Sequence, residues 1–262
     1  MKMNGEQKIT VSLTSFPEAI PYAVQAIRSV LGGSLLPDRV VLYLDSQKFP
    51  GEVLPEALEA LKAESPIFEV RFDPAEIRSY KKLIPALRDF PEDIIVTVDD
   101  DIFYHRNMLR DLVRMHRRMP EAIIAHRVRK ISMDRPYNKW RKYKWYDFLF
   151  RRIHAGYTNL QTGVGGVLYP PHSLDESMLD AGLFTRIAPT ADDIWFWAAA
   201  VAKGTKVAPV PFGKRKPQEL GKPDGLSLRI VNFRSGVDRN SAMMKTILEK
   251  YPVIRQRLEK GK

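Results

Sequence analysis

Four short apolar segments alternate with amphipathic ones across the first hundred residues, and this order constrains the fold more than any other feature. Ile9-Thr-Val-Ser-Leu-Thr14 alternates as a strand does and ends at Ser15-Phe16-Pro17. A helix is expected from about Pro21, with Val24, Ile27, Val30 and Leu31 on one face and a stop at Gly32-Gly33. Arg39-Val-Val-Leu-Tyr-Leu44 is the near-continuous apolar run of a buried parallel strand. Residues 54–63 read as a helix, 68–72 as a third strand, 81–89 as a helix, and 94–98 as the clearest strand in the chain. Repetition of this kind implies an α/β fold, a mostly parallel sheet with helices on both faces. In such open sheets ligands bind beyond the carboxyl ends of the strands. That rule directs attention to Thr14–Pro17, Asp45 and Asp99–Asp101.

The second half is less regular. A basic helix is expected at 104–119, an aromatic-basic stretch at 138–154, then a Gly-rich segment, a helix at about 191–203 and a basic C-terminal portion. At 262 residues with 44% hydrophobic content, one compact domain is expected. Its parts would be a first half at about 8–103, a second at about 104–210, and a basic segment at 211–262. The absence of cysteine removes disulfides, thiolate metal sites and cysteine nucleophiles. The polar start, Met1 to Lys8, has no apolar leader, and no apolar run approaches the ~20 residues that span a bilayer. The expectation is a cytoplasmic protein, at most peripheral to a membrane.

The net charge is +11, and it is unevenly placed: residues 105–154 hold 15 Lys/Arg against 4 Asp/Glu, and residues 203–262 hold 15 against 5. Such asymmetry fits polyanionic partners (nucleic acid, anionic lipid or phosphorylated small molecules), although many of these cations are simply solvated helix faces. Residues 138–154 interleave six Lys/Arg with six aromatics. That composition suits an anionic membrane surface or single-stranded nucleic acid, and equally a core helix with a basic rim.

Asp99-Asp100-Asp101 follow directly on the clearest strand. Three adjacent carboxylates repel one another unless a cation or donors neutralise them. Mg2+ and Mn2+ commonly use one or two carboxylates plus substrate phosphates. Strand alternation would send Asp99 and Asp101 to one side and Asp100 to the other. A solvated acidic turn is the competing reading. A second acidic pair, Asp192-Asp193, opens the strongly apolar segment Ile194-Trp-Phe-Trp197. Thr190-Ala-Asp-Asp193 also has the spacing of a capping box, which would give Asp193 a structural task. Gly163, Gly165 and Gly166 lack the strand-turn-helix context of a dinucleotide fingerprint and read as points of close backbone approach or a plain turn. None of the five histidines shows paired metal spacing.

Taken in order, several short segments resemble the GT-A glycosyltransferases, especially bacterial family 2 and related surface-polysaccharide enzymes. Val11-Ser-Leu-Thr-Ser-Phe-Pro17, Ser79-Tyr-Lys-Lys-Leu-Ile-Pro-Ala-Leu87 and Ile94-Ile-Val-Thr-Val-Asp-Asp-Asp-Ile102 look like that group's donor half. Gly163-Val-Gly-Gly-Val-Leu-Tyr-Pro-Pro171 and Thr190-Ala-Asp-Asp-Ile-Trp-Phe-Trp197 look like its acceptor half. The resemblance implies a GT-A-like domain that moves a sugar from a nucleotide-diphosphate donor to an acceptor hydroxyl, with inversion. It implies Thr14, Ser15 and Phe16 beside the base, with Asp45 accepting a hydrogen bond from it. Asp99 and Asp100 belong to the donor site, and Asp99 and Asp101 hold Mn2+ or Mg2+. Lys81 and Lys82 offer cations to the donor, unless they only face water at a helix start. Asp193, or else Asp192, serves as general base, with Gly165, Gly166 and Trp195 against the acceptor. A glycan or lipid-linked acceptor is expected, and nucleic acid is not. The group's C-terminal metal-binding histidine has no counterpart after His172, so a residue near Asn232–Asn240 would have to replace it.

Two enzymatic rivals fit less well. A sugar nucleotidyltransferase needs a Gly-rich basic loop after its first strand, and Thr14-Ser-Phe-Pro17 offers none. A phosphatase needs its aspartate nucleophile on an early strand with Thr or Val close behind, whereas Ile102 and Phe103 follow here. A basic binding protein without enzymatic activity leaves the acidic triplet unexplained.

Overall fold

The computed structural model describes residues 7–149, 154–211, 217–223 and 238–260. Its strands, in chain order, are β1 (Ile9–Thr14), β2 (Arg39–Asp45), β3 (Phe68–Asp73), β4 (Ile94–Thr97), β5 (Ile102–Phe103), β6 (Ile123–Ala125), β7 (Val128–Lys130), β8 (Arg141–Lys142), β9 (Asn159–Gln161), β10 (Val167–Tyr169), β11 (Val207–Pro209) and β12 (Gln218–Glu219). The helices are α1 (Ile20–Leu31), α2 (Glu56–Glu64), α3 (Ile84–Asp89), α4 (Met108–His116), α5 (Trp145–Leu149), α6 (Ala181–Ile187), α7 (Asp192–Lys203), α8 (Arg239–Lys250) and α9 (Pro252–Lys260).

A seven-stranded sheet in the order β11-β6-β10-β4-β1-β2-β3 forms the centre. Strands β3, β2, β1 and β4 are parallel neighbours, whereas β10 runs against both β4 and β6. The chain therefore winds outward from β1 to β3, then returns to place β4 on the other side of β1. That reversal is a topological switch point, and in such sheets ligands bind beyond the strand ends at this place. Successive side chains of β2 show the period of two: Val40, Leu42 and Leu44 enter one core, Val41 and Tyr43 the other. The first core takes Ile20, Ile27 and Val30 of α1 and Leu58 and Leu61 of α2; the second takes Phe184 of α6 and the apolar body of α7.

Several expected boundaries move. The helix anticipated at 81–89 begins at Ile84, because Arg78–Lys82 form a tight 3-10 turn that buries both lysines. The basic helix at 104–119 is shorter, and its apolar side (Met108, Leu109, Leu112, Val113) packs on the sheet. The stretch at 138–154 is broken into a 3-10 turn, the short β8 and α5, with residues 150–153 outside those described. Among the described residues no helix is long and apolar enough to cross a membrane.

Helix α7 explains its own composition. Residues Ile194 to Val201 are all buried, so apolar side chains are needed on every face. Trp195 donates its indole N–H to the Met178 carbonyl at 2.7 Å, and Trp197 donates to the Tyr157 carbonyl at 2.9 Å. Truncating either to alanine would cost about 3–5 kcal/mol. This corrects the expectation for Trp195: with no exposed surface, it cannot form a wall for an acceptor sugar.

Candidate active site

The ends of β1 and β4 are tied together. The Ser15 hydroxyl donates to Asp100 Oδ2 at 2.7 Å, and the Thr14 hydroxyl donates to the Tyr43 carbonyl at 2.8 Å. The backbone N–H of Asp99 donates to the buried Tyr104 hydroxyl at 2.7 Å, which fixes the turn that carries the triplet.

Lys82 joins the two acidic groups that the sequence keeps far apart. Its ammonium lies 2.8 Å from Asp99 Oδ1 and 2.9 Å from Asp192 Oδ2. Burial disfavours the Lys82 charge, yet Asp192, Asp99 and Asp193 outweigh it and hold the pKa well above the ordinary lysine range. The same contact explains Gly163: a β-carbon there would lie 2.8 Å from Lys82 Nζ and 2.9 Å from Asp99 Oδ1. Only glycine fits. Lys81 points to a different partnership, which corrects the expectation that both lysines serve the donor. Its ammonium donates to the Asp73 carbonyl at 2.8 Å and sits 3.5 Å from Asp45 Oδ2, with both side chains buried. Asp45 also accepts from the Gln47 N–H at 3.0 Å, so it braces the end of β2.

The triplet departs from strand alternation because β4 ends at Thr97. Asp99 turns to Lys82, whereas Asp100 and Asp101 share a cation that sequence reasoning missed. Lys222 Nζ lies 2.8 Å from Asp100 Oδ1 and 3.1 Å from Asp101 Oδ2. No local pattern marks Lys222; it arrives because β12 pairs with β5 and Leu220 N–H donates to the Asp101 carbonyl at 2.8 Å. Burial and then the charge of Asp99 hold the Asp101 carboxyl above its usual range, with Lys222 as a partial offset. Two carboxylates so placed, with charge left unbalanced, fit a divalent cation. Among the described residues no three His, Cys, Asp or Glu side chains converge as metal ligands, so substrate oxygens would have to complete a coordination shell. Of the replacements expected near Asn232–Asn240, residues 232–237 lie outside those described, and Asn240 is buried at the start of α8.

Asp193 is not a capping-box residue. The N-cap of α7 is Ala191, without a side-chain cap, and the Asp193 carboxylate instead accepts from the Gly163 N–H at 3.0 and 3.1 Å. Burial and then the charge of Asp192 raise its pKa to about 7, against the opposing pull of Lys82 and the Gly163 bond. A carboxyl at that value can take a proton near neutral pH, as general-base work requires. Gly165 and Gly166 have φ of +130° and +93°, and they turn the chain from Gly163 into β10. A β-carbon on Gly166 would meet Met108 Sδ at 2.9 Å.

Comparison with known proteins identifies the family and the fold. Residues 11–169 fit the model of Glycosyl transferase family 2. A mannosyltransferase from Pyrobaculum calidifontis, solved in complex with GDP-Man and Mn2+, is similar in fold at a TM-score of 0.53. Identity to it is 14%, over 98% of this chain and 75% of that one. No curated protein matches. Since the matched family segment covers more than half of the sequence and runs from β1 to β10, the chain belongs to glycosyl transferase family 2 and is a nucleotide-sugar glycosyltransferase of the GT-A fold.

Proposed function

We propose that the enzyme transfers a sugar, with inversion and with help from a divalent ion, from a nucleoside-diphosphate donor to an acceptor hydroxyl. The observation that carries this reading is the Lys82 bridge, which joins the strand-end triplet to the Asp192-Asp193 pair in one site. Asp99 and Asp101 are the residues to hold Mn2+ or Mg2+, and the bound ion would supply Lewis-acid stabilisation of the departing diphosphate.

The chain's own residues carry the remaining work. Asp193 Oδ takes the proton from the acceptor hydroxyl as its oxygen attacks the anomeric carbon and the bond to the diphosphate oxygen breaks. Gly163 N–H holds that carboxylate in place. Lys82 keeps Asp99 and Asp192 neutralised and fixed. Phe16 and Thr14, partly exposed at the end of β1, fit a base-binding role, and Gly165 and Gly166 allow close approach of the acceptor. We place the acceptor on a lipid-linked or surface glycan, as in bacterial surface-polysaccharide or glycolipid synthesis. Contact with the inner face of an anionic membrane would use exposed Arg141, Lys142 and Lys144 with Tyr146 and Leu149.

The direct test is a thermal-shift screen of nucleotide sugars and nucleoside diphosphates, with and without Mn2+. GDP-Man comes first, since the fold relative was solved with it. A ligand at about 100 times its Kd adds about 2.7 kcal/mol of stability, which such a screen resolves. A protein whose melting temperature no nucleotide moves, with or without metal, would contradict the assignment.

A further inference from the structure

Lys222 stands where a cation is most wanted and where a divalent ion would also have to come. Its ammonium touches both Asp100 and Asp101, and its side chain is only 9% exposed. It also lies 5.6 Å from the centre of the Phe16 ring, at the end of β1. Among the described residues, the surrounding segment is held by two residue pairs between β5 and β12 and one backbone bond from Leu220, and Gly221 then turns through φ +72°. Lys82, by contrast, is locked between Asp99 and Asp192 deep in the site. Lys82 lies between the two acidic groups, whereas Lys222 arrives on the short β5–β12 ribbon.

We propose that Lys222 is an exchangeable counter-cation: it neutralises Asp100 and Asp101 in the free enzyme and passes to the donor's diphosphate when a divalent ion takes Asp101. This rests on the donor and metal roles proposed above. An ion on Asp101 would meet an ammonium now 3.1 Å from that carboxylate, and like charges at such range repel strongly. An incoming diphosphate offers the ammonium a new anionic partner and removes the repulsion. Metal and donor should therefore bind cooperatively, each raising the affinity for the other by the same factor. Lys222 is a positioning residue in this scheme. Its effect is read in binding, before any chemistry.

The experiment titrates full-length wild type, Lys222→Met and Lys222→Arg with Mn2+ alone, following free Mn2+ by electron paramagnetic resonance. It then repeats each titration with GDP or UDP present, and circular dichroism confirms that each variant is folded. Lys222→Met should bind Mn2+ alone at least about fivefold more tightly than wild type, with a smaller further gain from the nucleotide. Lys222→Arg, which keeps the charge, should stay within about twofold of wild type in Mn2+ alone. Equal or weaker Mn2+ binding by Lys222→Met overturns the exchange while leaving the metal site intact. Failure of wild type to bind Mn2+ even with nucleotide overturns the metal reading and this inference with it.

Discussion

The two acidic clusters of the active site are compensated in opposite ways. Asp99, Asp100 and Asp101 divide two lysines among them, Lys82 on the first and Lys222 on the other two. The pair at the start of α7 is treated unequally: Asp192 has Lys82 at 2.9 Å, whereas Asp193 has the Gly163 N–H. Asp101 is raised by burial and by the charge of Asp99, with Lys222 as a partial offset. Asp193 is raised to about 7 by burial and then by the charge of Asp192, against Lys82 and the Gly163 N–H, and can serve as a base. Lys82 serves both clusters, and Lys222 serves only the triplet.

Removing the triplet's function should have the largest effect. Asp101→Ala is expected to abolish turnover and metal-dependent nucleotide binding, read by activity assay and calorimetry. Full activity of the wild type after chelation would oppose the metal role. Asp100→Ala should be milder for chemistry but should loosen the Ser15 tie and the hold on Lys222, raising the donor KM.

Asp193→Asn comes next. The amide oxygen can still accept from Gly163 N–H, yet it cannot take a proton, so turnover should fall by about 10²-fold or more while donor affinity holds. Stability should move the other way. The folded protein binds the Asp193 proton more tightly than the unfolded chain does. Its contribution to stability is therefore present below about pH 4 and lost as pH rises towards 7. At pH 8 Asp193→Asn removes that burden and should melt higher, by about 2–4 °C for each kcal/mol relieved. A variant that melts lower at pH 8 would break the comparison.

Lys82→Met sharpens it. Leaving Asp99 and Asp192 without their buried cation should cost about 3–5 kcal/mol. In protein that still folds, the Asp193 carboxyl loses an attractive charge, so the acid limb of activity should move to higher pH. An unmoved limb would mean that Lys82 does not govern the base. The smallest effect is expected at the surface. Replacing Lys142 and Lys144 with Glu should lower sedimentation with anionic vesicles, at about 1 kcal/mol per cation, and leave donor hydrolysis intact, whereas Arg141 is kept because it pairs with the buried Asp147. Unchanged vesicle binding at low salt would favour a soluble acceptor.

Much of the fold was legible because parallel strands buried on both faces announce themselves as apolar runs. β1, β2, β3 and β4 each fall within a residue or two of their expected bounds. The triplet's position followed from the same pattern. What could not be read was pairing over distance. Lys222 meets Asp100 across 122 positions, and nothing local distinguishes it from its basic neighbours. Strand alternation misplaced Asp100 because the strand had already ended. Trp195 misled for a different reason: an aromatic beside an acidic pair suits a sugar wall and a helix core alike. Only its lack of exposure decides between them.

The central claim is that burial, together with the charge of Asp192, makes Asp193 the base, and the pH dependence of sugar transfer tests that most directly. With saturating donor, wild type should gain rate as pH rises, with an acid limb above the ordinary carboxyl range as the carboxyl gives up its proton. Asp193→Asn should show a low rate without that limb. A wild-type limb near 4, or the same limb surviving in Asp193→Asn, would contradict the account.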